Sequence, residues 1–413
     1  MVLHQSKDNA LEWRELIKFP KEEIDLENGP NNSYSKIRLF GTKESSVRVT
    51  LYRDYHAWCP YCQKVWLWLE LKKIPYKVKK ITMRCYGEKE KWYVQKVPSG
   101  LLPALEIDNN LITESDEIIL QLEKSYGPLG QPFESKSTIQ LRHLERKLFR
   151  SWCIWLCNTS FFEISEERRK NEFLKVAEEF DQQLATKKGT WLDQSSSNNG
   201  NYYPGSGDII FIPYLERMSA SLCYYKGFIL RERFKNINNW LSSLEKLSVY
   251  QGTQGDFHTH AHDLPPQMGR CCSYDSPSQR EISVKIDRGE GLGDYEYSQD
   301  LYEIDPKFIA LQRVLKHRDT LLKVNPLGEE KMDQPLRAAL TYMINQKHCL
   351  PNSGSAIGLR YLRDRISVPR DMPILAARKL RQALEATANL DSELQGPSIP
   401  LNHRLDQNPK PFI

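Results

Sequence analysis

Along residues 47–55, "VRVTLYRDY", apolar and polar side chains alternate, which predicts a strand. The period then changes, because Val65, Leu67, Trp68, Leu69 and Leu71 recur at helical spacing through residues 60–73. A second alternating run, "PYKVKKITM", predicts another strand, and "EKEKWYVQK" predicts a polar helix. "LLPALEID" and "LITES" read as two further strands joined at Asn109-Asn110, and "SDEIILQLEKSYG" closes the series as a helix.

The resulting order, β-α-β-α-β-β-α over residues 47–130, is that of a thioredoxin-like α/β domain, with residues 1–46 as an N-terminal extension. Beyond Pro132 the strand alternation stops. "STIQLRHLERKLFRSWCIWLC", "ERRKNEFLKVAEEFDQQLATK", "DIIFIPYLERMSASLCYYKGF" and "RERFKNINNWLSSLEKLSVYQG" predict an all-helical domain over 137–250. "DQSSSNNGNYYPGSG" between two of those helices reads as a mobile loop. Residues 251–305 are rich in Gly, Pro, His and Asp and read as an irregular segment too long for an ordinary connection. Three helical runs then predict a helical C-terminal extension and tail over 306–413.

A chain of 413 residues fits two or three domains. Its start lacks the apolar core of a secretory signal, and no apolar stretch approaches bilayer length, so a soluble protein without membrane partners is expected. The nine cysteines are mostly scattered singly, which favours a reducing compartment and a cytoplasmic location over an organelle. A net charge of +5 is mild, and no basic stripe for nucleic acid occurs in the first 300 residues. Arg360, Arg363, Arg365, Arg370, Arg378, Lys379 and Arg381 gather near the C-terminus, either as a solvated face or as a surface for an anion or partner.

Chemistry concentrates at Cys59-Pro60-Tyr61-Cys62, where the first strand gives way to the first helix. A structural zinc site needs a second such pair, or histidines at ligand spacing; no second CxxC exists, so metal is not expected there. The alternatives are a redox-active thiol pair and a reduced pair that only packs. Pro60 suits the first helical turn, and the positive end of the helix dipole favours an anion there, which makes Cys59 the expected nucleophile and Cys62 the thiol able to resolve a mixed disulfide. In "PSGLLPALEID", Pro103 opens a strand, and a cis Leu102-Pro103 bond would turn backbone groups toward the cysteine. In "ITESDEI", Glu114 and Ser115 precede a helix whose free N–H groups can receive a carboxylate, unless they serve only as a cap and turn.

Two other clusters stand out. His258, His260, His262, Asp263, Cys271 and Cys272 fall within fifteen residues. Alternate spacing puts the histidines on one side of an extended segment, as a metal site, a loop packed by hydrogen bonds, or part of a substrate pocket. Trp152, Cys153, Trp155 and Cys157 share a helix as core or as a platform for a flat substrate. Cys85, Cys223 and Cys349 are isolated and read as inert.

With these motifs the sequence resembles the cysteine-type glutathione transferases over residues 47 to about 250, and its tail is similar to their long-tailed, iota-like class. The resemblance implies that Cys59 forms a mixed disulfide with the cosubstrate glutathione. It also implies that the backbone of Leu102, before cis-Pro103, pairs with the cysteinyl unit, that Glu114 and Ser115 hold the γ-glutamyl end, and that Lys89 reaches the glycyl carboxylate. The chain departs from the pattern in three ways. Its CPYC motif is that of dithiol glutaredoxins, yet His56 stands where those proteins carry a lysine. The usual Ser-x-x-Asp cap reads Gly205-Ser206-Gly207-Asp208, with Ser206 one place late, and the chain continues long after residue 250. The implied function is a glutathione-dependent thiol transferase or reductase acting on a small or glutathionylated substrate, as a possible homodimer. The alternative is a non-catalytic ligand-binding or assembly protein of the same fold. Conjugation to electrophiles fits less well, since it needs a Ser or Tyr where Cys59 stands.

Overall fold

The computed structural model describes residues 10–19, 32–159, 163–187, 189–196, 202–290 and 304–391. The chain divides into two compact units, one of residues 26–283 and one of residues 1–25 with 284–413.

The first unit begins with a sheet built from β1 (Ile37–Arg38), β2 (Val49–Asp54), β3 (Tyr76–Ile81), β4 (Ala104–Ile107) and β5 (Asn110–Thr113), in the order β1-β3-β2-β4-β5. Only β2 and β3 run parallel, and α1 (Pro60–Leu71) supplies the crossover that a parallel pair requires. After α2 (Lys91–Lys96), the β4–β5 hairpin leads into α3 (Ser115–Tyr126). This is the thioredoxin-like order. β1 lies ahead of residue 47, so part of the expected N-terminal extension belongs to the sheet.

Helix α1 is buried on nearly every side from Val65 to Glu70, which is why its apolar residues do not form a single stripe. The charge of buried Glu70 is met by Arg38 at 2.8 Å and by the hydroxyl of Tyr76 at 2.7 Å, an arrangement that also ties β1 to the helix.

The all-helical part follows with α4 (Lys136–Cys157), α5 (Glu163–Ala185), α6 (Ile212–Lys226), α7 (Lys235–Leu244) and α8 (Phe257–Met268). Its core is continuous with that of the sheet, running from Val49 to Leu264. Within the stretch expected to be a loop, Gln194–Ser196 pair antiparallel with Tyr202–Pro204 and Ser206 begins a short helix; residues 197–201 lie outside the described residues. Within the stretch expected to be irregular, α8 and the helix Pro277–Asp287 are regular. Helix α8 is started by Asp256, whose carboxylate accepts the N–H of Thr259 at 2.9 Å, and burial of His258–Pro265 holds it despite Pro265 and Pro266. The histidines therefore lie on a helix and not on one side of an extended strand.

In the second unit, α9 (Pro306–Val324), α10 (Gly328–Asn345), α11 (Ala356–Arg365) and α12 (Ile374–Ala388) enclose their own core. Residues from the start of the chain complete it. Leu16 is fully buried there, Trp13 donates to Asp333 at 2.7 Å, and the N–H of Leu11 donates to Thr341 at 2.9 Å. Three residues of the arginine cluster are internal. Arg360 and Arg363 are buried against Glu385, and Arg381 is buried and donates to the carbonyl of Ile366 at 2.7 Å. These arginines join helices, so the expected solvated or ligand-binding face is not formed by them. Among the described residues, no helix is long and apolar enough to cross a membrane.

Candidate active site

Cys59 is the N-cap of α1, in extended conformation, with Pro60 in the first turn. Its Sγ accepts the backbone N–H of Cys62 at 3.4 Å and lies 3.9 Å from the carbonyl oxygen of Leu102. The Leu102-Pro103 bond is cis, as the sequence suggested. Cys59 is 8% exposed and Cys62 only 1%. Burial, the hydrogen bond with Cys59 and the nearby charges of Cys59 and Asp54 push the Cys62 thiol well above its ordinary range. All cysteines are free.

Strand register brings the other candidates to the same end of the sheet. Ala104, directly after Pro103, pairs with Tyr52 of β2 on one side and with Thr113 of β5 on the other, so Glu114 and Ser115 follow the strand end that flanks Pro103. Glu114 sits at φ +64° with an exposed side chain that makes no cap bond, while Ser115 is buried. Asp116 fixes this helix start. Although burial opposes its charge, Lys64 of α1 and Arg142 of α4 hold its carboxyl below the ordinary range, Arg142 at 2.6 Å. Lys89 is half-buried, lies across Gly100 and donates to the carbonyl of Thr82 at 3.0 Å. Burial pulls its ammonium below the ordinary value, against Cys62, Glu90, Asp54 and Cys59.

His56 is fully buried, its ring packed 4.7 Å from that of Trp58 and 4.5 Å from that of Tyr86. Several supports of the nucleophile's turn escaped the sequence reading. Asp54, fully buried at the end of β2, accepts the N–H of Trp58 at 2.7 Å. Burial pushes its carboxyl up. Asp54, Cys59 and Cys62 each place one donor atom within 4.8 Å of the others; two thiols and a carboxylate suit a soft divalent metal, one donor short of a closed tetrahedral site. Arg217 of α6, also buried, donates to the carbonyl of Trp58 at 2.6 Å and to Gln63 of α1 at 2.9 Å. Gln63 in turn donates to Glu216 at 3.1 Å, and Glu216 lies 2.6 Å from His260 of α8. Burial and Arg217 oppose a charge on His260, but Asp263 and Glu216 outweigh them and hold its imidazole above the ordinary value. The available signal was Glu216-Arg217 standing together in an otherwise apolar helical run.

Other candidates fall into place as structure. Trp152 and Trp155 are buried and donate to Ser221 at 3.0 Å and Glu166 at 2.7 Å, so they belong to the core and form no platform. Cys85 is half-buried and burial pushes its thiol up to about 12. The late Ser206 donates to Glu123 at 3.2 Å, and Asp208 accepts the N–H of Gly205 at 3.2 Å, so glycine stands at the cap.

Residues 58–125, which contain every sulfur and backbone group of this site, match the family model for the glutathione S-transferase N-terminal domain. The chain is similar to glutathione S-transferase DHAR2 of Arabidopsis thaliana, 24% identical over 196 residues that cover 48% of this chain and 84% of that protein. It is also similar to glutathione S-transferase L3 of the same plant, 26% identical over 214 residues, covering 50% of this chain and 82% of the relative. Among solved structures, the dehydroascorbate reductase of Chlamydomonas reinhardtii aligns at 22% identity and a TM-score of 0.41, over 50% of this chain and 92% of that one. The domain match and the low-identity relatives support the glutathione S-transferase family.

Proposed function

We propose that this protein is a glutathione-dependent thiol transferase or reductase of the long-tailed, iota-like class, with Cys59 as nucleophile. The observation that carries the reading is the placement of the Cys59 sulfur. It caps α1, faces the N–H of Cys62 at 3.4 Å, and stands 3.9 Å from the carbonyl of Leu102. N–H groups at a helix start stabilise a sulfur anion, and a thiolate is the species that attacks a disulfide.

In the proposed reaction the Cys59 thiolate attacks the glutathione sulfur of a mixed disulfide. The bond between substrate sulfur and glutathione sulfur breaks, the substrate thiolate leaves and takes a proton, and a Cys59–glutathione disulfide forms. A second glutathione thiolate then attacks the glutathione sulfur on Cys59, which regenerates the Cys59 thiolate and releases glutathione disulfide. Leu102 pairs its backbone with the glutathione cysteinyl unit beside cis-Pro103. The start of α3, with Glu114 and Ser115, receives the γ-glutamyl carboxylate, and Lys89 supplies positive charge to the thiols or to the glycyl carboxylate. Cys62 is not needed to resolve the intermediate, because burial keeps it a thiol. The experiment is turnover of a glutathione mixed disulfide with free glutathione. Steady turnover supports the enzyme; glutathione binding without turnover would favour the ligand-carrier alternative.

A further inference from the structure

The site above uses two of the nine cysteines; elsewhere in the same unit, backbone pairing of Leu156 with Cys272 sets Cys157 and Cys271 on adjacent stretches of chain. Cys157 is the last residue of α4. Cys271 follows α8 in a segment held to α4 by its neighbour, for the N–H of Cys272 donates to the carbonyl of Leu156 at 2.8 Å. The same segment is fixed again by the N–H of Tyr274, which donates to the carbonyl of Tyr225 at 2.7 Å. Cys157, Cys271 and Cys272 are all partly exposed, unlike Cys62.

We propose that Cys157 and Cys271 form a second dithiol that low-molecular-weight disulfides of the glutathione class oxidise to an internal disulfide. The 2.8 Å backbone bond between Leu156 and Cys272 puts the two cysteines on neighbouring chain segments, one at a helix end and one in coil, where side-chain rotation can close the bond. The surroundings assign the roles. The hydrogen bond from Cys271 holds the Cys157 thiol below its ordinary value, and Arg270 and Lys226 add to this against the effect of burial. The same hydrogen bond, with burial, pushes Cys271 up. A partly exposed thiol beside cations is the kind that reacts.

The Cys157 thiolate attacks one sulfur of glutathione disulfide, forming a Cys157–glutathione bond and releasing a glutathione thiolate that takes a proton from water. Once Cys157 is bonded to glutathione it no longer holds the Cys271 proton; Cys271, partly exposed unlike Cys62, loses that proton to water and attacks the Cys157 sulfur, closing the internal disulfide and expelling the second glutathione. Two protein thiols are oxidised and one glutathione disulfide is reduced to two glutathiones. The bond would join the end of α4 to the chain beyond α8, and it requires no participation of Cys59.

The test is incubation of the full chain, and of a Cys59→Ser, Cys62→Ser variant, with glutathione disulfide, followed by peptide mapping by mass spectrometry. The expected result in both is a reducible cross-link between the peptides carrying Cys157 and Cys271. Cys271→Ser should instead trap one glutathione on Cys157, and Cys272→Ser should leave the cross-link unchanged. The proposal is overturned if Cys157 stays free, if it keeps a stable glutathione adduct with Cys271 intact, or if it pairs with Cys153 or Cys272. A cross-link that needs Cys59 in the chain would equally contradict it.

Discussion

Arg217 donates to the backbone carbonyl of Trp58 at 2.6 Å, so a side chain of α6 holds the residue immediately before Cys59. Its other nitrogen reaches Gln63, on the second turn of the helix that Cys59 caps. The guanidinium thus spans the turn from before the nucleophile to beyond it, and fixes where the sulfur points. Arg217→Met should lower kcat for thiol transfer by about 10-fold or more, since small misplacements of a reacting group are costly. Arg217→Lys, which keeps one donor, should recover part of the loss. Steady-state kinetics of both variants checks this; wild-type kcat in Arg217→Met would remove the positioning role.

Asp208 stabilises the helical part through four donors, the N–H groups of Leu192, Asp193 and Gly205 and the indole of Trp240, at 2.7 to 3.2 Å. Asp208→Ala would leave them buried and unpaired. The expected loss is at least about 3 kcal/mol in denaturant unfolding, because each unsatisfied buried donor costs roughly 1–3 kcal/mol. A loss below about 1 kcal/mol would show that water replaces the carboxylate.

In the proposed reading Glu114 and Ser115 bind the end of glutathione remote from its sulfur. Glu114→Ala and Ser115→Ala should therefore raise KM for glutathione with little change in kcat. Collapse of kcat at constant KM would move these residues away from the γ-glutamyl end.

The parts of the site that were legible in the sequence are local ones. A strand, a cysteine, a proline and a helical run follow one another within residues 47–73, so the placement of Cys59 at a helix start needs no distant contact. The two-residue β1 carries no readable period, and the sequence could not attach Leu11 and Trp13 to Thr341 and Asp333, more than three hundred positions away. The same holds for Arg217 and Trp58, which are separated by 159 positions. The histidine segment was misread because Gly, Pro and alternate His are weak helix signals, whereas the Asp256 cap and burial decide its form.

Cys62 is buried and its thiol lies well above the ordinary range, so it stays protonated at neutral pH and becomes reactive only as the pH rises far beyond that range. Cys62→Ser should keep transfer from glutathione mixed disulfides near the wild-type rate at neutral pH. In the wild type, alkylation of Cys62 should lag behind that of Cys59 and accelerate with pH. Loss of mixed-disulfide turnover in Cys62→Ser, with the wild type recovered as an internal Cys59–Cys62 disulfide, would make the dithiol route obligatory.

The role of Cys59 is tested most directly by turnover of a glutathione mixed disulfide by Cys59→Ser, measured beside wild type with glutathione binding followed in parallel. A hydroxyl cannot form the mixed disulfide. Turnover should fall to the uncatalysed rate while glutathione still binds; turnover near the wild-type rate in Cys59→Ser would remove Cys59 from the role of nucleophile.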